Sequence, residues 1–437
     1  MTGLIMTVQL LLGLSILVFL HELGHYLTAK MFGIKVEKFY LFFDAWGGKL
    51  MSFEWHGTEF GIGWLPFGGY CKIAGMVDES MDTAQLACEP QAWEFRAKPA
   101  WQRLIVICAG VIMNLITGIF IMSCLLLSSQ SNYLSNDEVS QYGIYASPIA
   151  RELHFQTGDK IVQVNGKTVK RFQDVQSLNV LLGATITVVR GQDTLNIVVP
   201  DDTYKRLNVQ RGALFEPFNY PMATIDSIYE SSIAQRAGLQ KNDLIIAVAG
   251  DSVRSFGAFR DLIWQHRAQE IVIDIVRNNV PESLTVKLDS TGYLGIQLGS
   301  YPYQLASYTI SSALFYGTKD AFDLILANAR GLGKIFTGKE KAQESLQGPV
   351  GMARIYGGQW VWTKFWYITA LISLILAFMN ILPIPALDGG HLVFILAEII
   401  TRRKPSIKVL TVAQTIGMML LLGIMIFAIG NDIIRLF

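Results

Sequence analysis

Four stretches of the chain carry no Asp, Glu, Lys or Arg: residues 1–20, 104–130, 365–387 and 409–430. A helix rising about 1.5 Å per residue needs about 20 residues to cross a hydrocarbon layer about 30 Å thick. Four membrane-spanning helices are therefore predicted. Met1–Gly3 holds no basic residue and no small-residue cleavage site follows the first stretch, so it reads as a retained span rather than a signal peptide. Basic residues set the orientation. Lys30, Lys35 and Lys38 follow the first span, Arg96, Lys98 and Arg103 precede the second, and Arg402, Arg403, Lys404 and Lys408 separate the third from the fourth. Residues 128–150 hold no Lys or Arg. Loops 28–103 and 398–408 are thus expected in the cytoplasm, with both termini and residues 131–364 outside.

In that outside region the pattern changes to short alternating runs, and the chain repeats itself at an offset of 84 residues. Ser147, Ile149, Ala150, Asp159, Val164, Gly166, Val169 and Phe172 recur as Ser231, Ile233, Ala234, Asp243, Val248, Gly250, Val253 and Phe256. Each copy predicts a short helix, a turn, an apolar strand (160–165; 244–249), a Gly turn and a second helix. Two alternating strands follow in each, 184–190 with 194–199 and 271–277 with 283–288. Two copies are too few for a solenoid and suggest tandem small α+β domains. Their x-D-x-I-x-x-V-x-G-x-x-V pattern resembles PDZ domains, which bind extended peptides at a sheet edge. Gly292-Tyr293-Leu294-Gly295-Ile296 looks like the groove strand of the second copy, and Gly212-Ala213-Leu214-Phe215 is a weaker counterpart in the first. The plainer alternative is that these are packing strands in spacer domains.

Composition narrows the class. Charged residues are 16% against the roughly 25% of soluble proteins, apolar residues are 51%, and mean hydropathy is +0.36. A net charge of +1 provides no basic field, so nucleic acid is not expected as a partner. Cys71, Cys88, Cys108 and Cys124 are too scattered for a disulfide framework or a CxxC zinc site.

The chemistry is concentrated in His21-Glu22-Leu23-Gly24-His25, at the cytoplasmic end of the first span. Histidines at i and i+4 project from one helix face and can share a zinc ion. Glu22 between them is placed to take a proton from a water that the metal acidifies. Snorkelling interfacial residues would explain one histidine but not this spacing, and ionisable groups at membrane depth are usually functional. A catalytic zinc needs a third protein ligand and an open position. In the third span, Asn380-Ile381-Leu382-Pro383-Ile384-Pro385-Ala386-Leu387-Asp388-Gly389-Gly390 interrupts an apolar helix. The prolines remove backbone donors, and the glycines permit unusual φ values. Broken backbone at this depth belongs where it is buried in protein or lines a cavity. Asp388 is the best third-ligand candidate. His391 and Glu398 lie further on and could compete; Asn380 either binds a substrate backbone or satisfies the broken helix.

HELGH in a first span and N-x-x-P-x-P-x-L-D-G-G in a third, around a tandem PDZ-like insertion, resemble the site-2 proteases and, within them, the bacterial regulator-of-sigma-E group. The resemblance implies zinc held by His21, His25 and Asp388, with Glu22 as general base and acid. It implies a bacterial inner-membrane enzyme of the stress response that cuts single-span substrates. Those include anti-sigma factors already trimmed by another protease and signal-peptide remnants. The PDZ pair would bind peptide termini or trimmed substrates and exclude substrates whose outer domains remain.

The expected fold class is a multi-pass α-helical membrane protein with four transmembrane helices, a cytoplasmic-side re-entrant β element and two tandem extracytoplasmic α+β PDZ domains. Its parts are the first span with HELGH (1–30), a cytoplasmic loop (31–100) and the second span (101–130). The two PDZ copies follow (131–220 and 221–305), then an extracytoplasmic amphipathic connector (306–363), whose residues 313–336 are expected to lie at the outer interface against lipid. The broken third segment (364–400) and a basic loop with the fourth span (401–437) complete the chain. Within the cytoplasmic loop, 58–76 is aromatic, Gly-rich and charged only at Glu59 and Lys72. It reads as a hairpin dipping into the membrane, whose edge could pair with an unwound substrate; an interfacial loop anchored by Trp64 and Tyr70 is the alternative. His56, His154 and His266 have no ligand-like partners at useful spacing. Two other classes stay open: a prenyl-protein type of membrane metalloprotease, and a PDZ-based peptide-binding scaffold with a non-catalytic metal site.

Overall fold

The computed structural model describes residues 2–76, 89–128, 132–210, 213–218, 224–253, 255–298, 305–340, 343 and 348–434. Cys88 and Gly212 lie outside them. The chain forms two compact units, residues 1–129 with 308–437, and residues 130–307.

Among the described residues seven helices organise the first unit: α1 (Thr2–Met31), α2 (Ala100–Leu127), α3 (Ile310–Phe336), α4 (Pro349–Tyr356), α5 (Trp362–Ile381), α6 (Asp388–Thr401) and α7 (Ile407–Ile434). Among the described residues α1, α2, α5 and α7 are long and apolar enough to cross a membrane. The central helix is α2, which packs on α1, α3, α5 and α6. Its small residues let the neighbours in, because close helix approach in lipid depends on small side chains at the contact. Gly24 of α1 faces the Ala109 backbone of α2 so closely that an added Cβ would stand 2.6 Å from its carbonyl oxygen. In α3, Ala313, Gly317 and Ala321 are buried, while Ile310, Leu314, Phe315 and Phe322 are exposed beside the Lys319–Asp323 ion pair at 2.9 Å. Buried Asp432 of α7 accepts the backbone N–H groups of Gly348, Val350 and Gly351 at 3.1, 2.9 and 3.0 Å. A carboxylate at the start of α4 satisfies donors that a helix N-terminus leaves unpaired.

Between α1 and α2 lies one four-stranded sheet of β1 (Val36–Phe43), β2 (Lys49–Trp55), β3 (Thr58–Gly63) and β4 (Leu65–Ile73), in the order β2-β3-β1-β4. The hairpin expected at 58–76 is not one. β3 runs parallel to β1 and β4 antiparallel to it, so β1 separates them. The reason is the crossing at Gly63: the chain passes over the end of β1, where a Cβ would stand 2.2 Å from the Phe43 carbonyl oxygen. Only Trp64 joins the strands, too short a link for a two-residue hairpin turn. β4 packs on α1, where Gly69 meets Val18. Tyr26 of α1 stands edge-on to Phe39 and Phe60, at 5.7 and 5.4 Å between ring centroids. The outer strand β2 is exposed throughout and carries Leu50, Met51, Phe53 and Trp55.

The second unit contains the two repeats, each with its own buried core. The first copy orders its strands 193–199, 184–190, 160–164 and 167–168, and the second orders 280–287, 270–277, 244–248 and 251–252 in the same way. Each adds a two-stranded ribbon, Ile144–Ala146 with Phe215–Pro217 and Ile225–Ile228 with Ile296–Leu298. The helix after the Gly turn spans Phe256–Gln265 in the second copy, whereas the first has only a 3-10 turn, Phe172–Gln176, and one α turn, Leu178–Leu181. The copies meet through Tyr145 donating to Asp261 at 2.8 Å and an Arg260–Glu216 ion pair at 2.6 Å.

Both copies share one internal ion pair, Arg190–Asp159 at 2.7 Å and Arg277–Asp243 at 2.7 Å. Asp243 is fully buried. Burial opposes its charge, but hydrogen bonds from Arg277 and the Gln240 backbone outweigh that and hold its carboxyl below the usual 3.8. The stability this adds is complete above about pH 4 and drains away as pH falls through the lowered value. Arg277→Met should therefore cost about 3 kcal/mol at neutral pH, because it strands a buried carboxylate. The loss should shrink as acid protonates Asp243, and thermal unfolding at pH 7 and pH 3 would measure both; an equal loss at the two would count against the pair.

Candidate metal centre

The catalytic candidates converge from two helices. His21 and His25 stand one turn apart on α1 with edge-to-face rings at 4.9 Å between centroids. Asp388 is the first residue of α6, where the positive end of the helix favours a carboxylate. Its Oδ2 lies 3.2 Å from His21 Nε2 and 3.5 Å from His25 Nε2, and the two Nε2 atoms are 3.3 Å apart. Donors about 2.0–2.1 Å from a tetrahedral zinc would stand about 3.3–3.4 Å from one another. Among the described residues buried Asp388 Oδ2 has no hydrogen-bond partner of good geometry, and its close polar neighbours are the two Nε2 atoms of this triangle. Two imidazoles, one carboxylate and an orphaned oxygen suit a zinc ion. Among the described residues this is the cluster with metal-ligand spacing.

Helix α2 supports the histidines. The Val106 carbonyl accepts His25 Nδ1–H at 2.8 Å, which leaves Nε2 as the lone-pair nitrogen facing Asp388. One turn on, Gly110 provides the space for both rings: a Cβ there would stand 2.4 Å from His25 Nε2 and 2.6 Å from His21 Cε1. One turn further, Asn114 places its amide 3.2 Å from His21 Nδ1. None of these three was expected from the sequence. The available signal was Gly110-x-x-x-Asn114 inside a span, a small residue and a costly polar one on the same helix face.

Glu22, between the histidines, accepts the backbone N–H of Cys71 in β4. The sheet thus reaches the prospective proton carrier through its edge strand nearest α1.

The break that delivers Asp388 differs in detail from expectation. α5 ends at Ile381 and α6 begins at Asp388. The residue in the left-handed region is Ala386, with φ 78°, and not Gly389 or Gly390. Those glycines make room: a Cβ on Gly389 would lie 2.0 Å from the Leu382 carbonyl oxygen, and one on Gly390 2.7 Å from that of Ile384. α6 folds back tightly against the unwound segment. Asn380 is half-buried in the last turn of α5. His391 stands on α6 outside the donor cluster. Glu398 is engaged elsewhere, in an ion pair with Arg103 of α2 at 2.5 Å.

Residues 9–424 match the family model described as Peptidase family M50. The chain belongs to peptidase family M50. It is thus a zinc metalloprotease of the site-2 type, built around membrane helices. Relatives match it along nearly their whole length. The Regulator of sigma-E protease RseP of Escherichia coli K12 is 29% identical, and the Regulator of sigma E protease of Haemophilus influenzae 28%. In each comparison 98% of both chains is covered.

Proposed function

We propose that this M50 protease is an intramembrane endopeptidase that cuts single-span membrane proteins, with His21, His25 and Asp388 as metal ligands and Glu22 as the proton carrier. One observation carries the reading: three donors at tetrahedral spacing, presented by a candidate span and by the helix after a broken one, with a glutamate between two of them. Zinc, when bound by these three residues, would polarise a scissile carbonyl and lower the pKa of water. Glu22 then takes the water's proton and passes it to the leaving amine. The Cys71 N–H orients the Glu22 carboxylate for both transfers. Asn380, beside the break, is the candidate donor to a substrate carbonyl.

A helical substrate hides its peptide bonds and must be unwound. The β1–β4 sheet is suited to this, because its edge strand β4 borders the metal ligands' helix and can extend by one more strand. Exposed Trp46, Leu50, Met51, Phe53 and Trp55 would seat the sheet in lipid. By the bias of its basic loops, this reading puts the metal centre toward the cytoplasm of a bacterial inner membrane and expects the repeats and both termini outside. The repeats act as PDZ domains that admit trimmed substrates and exclude those with bulky outer domains; by this reading the substrates include anti-sigma factors after a first cut, consistent with the names of the relatives.

The test is a cleavage assay in detergent with a single-span substrate offered with and without its outer domain. Wild type should cut only the trimmed form, a chelator should stop it and zinc restore it. Deleting residues 131–300 should let the untrimmed form be cut as well. Persistent discrimination after the deletion would sink the filter; no cleavage by folded, zinc-loaded wild type would favour a peptide-binding scaffold.

A further inference from the structure

We infer that Asn114 is a positioning residue for the metal centre, its side-chain oxygen accepting the Nδ1–H of His21 so that Nε2 of that ring is held as a lone-pair donor. The inference rests on the proposed ligand set and adds a residue to it.

Two observations meet at this side chain. Its Nδ2 stands 3.2 Å from His21 Nδ1, while its Oδ1 is buried with no hydrogen-bond partner among the described residues, in a residue only 1% exposed. Leaving a buried carbonyl unpaired is costly. The amide is nearly symmetric in shape, and its two ends are told apart by their partners rather than by outline. An Nδ2 donor at this place would require a lone pair on His21 Nδ1 and hence a proton on Nε2, the atom 3.2 Å from Asp388 Oδ2 and 3.3 Å from His25 Nε2. That proton would occupy the place of the metal. Turning the amide over gives Oδ1 a donor and frees His21 Nε2 for ligation.

The arrangement parallels that of the other ligand. His25 gives its Nδ1–H to the Val106 carbonyl, eight residues earlier on α2. Val106, Gly110 and Asn114 follow at intervals of four, along one helix face, so a single element orients both imidazoles. Asn114 is itself located by Ser373 of α5, which donates to its backbone carbonyl at 2.7 Å. A hydrogen-bond partner behind a ligating histidine fixes its tautomer, and losing one typically lowers metal affinity about 10–100-fold.

The experiment measures zinc affinity of the full-length protein in detergent by chelator competition, for wild type, Asn114→Leu, Asn114→Asp and His25→Ala. Asn114→Leu should bind zinc about 10–100-fold more weakly, with the unfolding temperature of the metal-free protein close to that of wild type. Asn114→Asp can only accept a hydrogen bond and should stay within a few-fold of wild type. Its cobalt-substituted absorption spectrum should also match. Wild-type affinity in Asn114→Leu would overturn the inference, and so would a tenfold loss in Asn114→Asp. Should Asn114→Leu not fold, Asn114→Asp decides alone. Zinc held by His25→Ala as tightly as by wild type would overturn the ligand set itself and this inference with it, an outcome distinct from the other two.

Discussion

Glu22→Gln should abolish peptide-bond cleavage while the protein keeps its full complement of zinc. Glu22 is not among the three converging donors, so its loss leaves the metal site complete. The glutamine matches its size and can still pair with the Cys71 N–H through its carbonyl oxygen. What it cannot do is take a proton from water and return it to the departing amine. General acid–base catalysis by a placed side chain is worth about 10²–10⁴-fold, and a residue serving both transfers belongs at the upper end. Initial rates on the trimmed single-span substrate, together with zinc content by elemental analysis, would measure the two halves separately. Equal rates in wild type and Glu22→Gln would remove Glu22 from the mechanism. A loss of zinc along with activity would instead make it part of the metal site.

The parts of this site that could be read in the chain share a property: their signal is local. The i, i+4 histidines are set by helical pitch, and the prolines after Asn380 break a helix wherever they occur. The uncharged stretches mark spans because lipid imposes a length. The repeat was visible because two copies of one domain keep the same apolar positions and the same buried aspartate, at Asp159 and Asp243. What stayed hidden depends on contacts between distant segments. Asn114 stands out as a costly polar residue inside a span, but its partner is fixed only when α2 lies against α1 and brings it to His21. The 58–76 segment looked like a hairpin because its two strands are adjacent in sequence, and only the path of β1 shows otherwise. Gly389 and Gly390 suggest conformational freedom in the sequence, yet neither has a positive φ; they are small because α6 folds back on the unwound segment. Pattern alone does not separate a glycine that turns from one that makes room.

That distinction gives the second large effect, at Gly110. Gly110→Ala should strip the protein of zinc and of activity without unfolding it. The added methyl would stand 2.4 Å from His25 Nε2 and 2.6 Å from His21 Cε1, about 1 Å inside ordinary contact. These neighbours have little freedom to retreat. His25 is tied by Nδ1 to the Val106 carbonyl on the same face of α2, so moving α2 moves the ring with it. Metal–ligand distances tolerate about 0.2 Å, far less than the shift required. The affinity loss should therefore exceed the about 10–100-fold expected from an outer-sphere change. Gly118→Ala provides the comparison, two turns further along the same helix. Its methyl would meet Leu374 Cδ2 and Cγ at 2.6 Å, in a flexible apolar side chain away from the donors. That variant should lower the unfolding temperature by overpacking, at about 1–3 kcal/mol, and keep its zinc. Zinc stoichiometry and thermal unfolding of both variants separate the two effects. Full zinc and full activity in Gly110→Ala would mean that α2 does not press on the imidazoles, and the account of how this site is held would have to be abandoned.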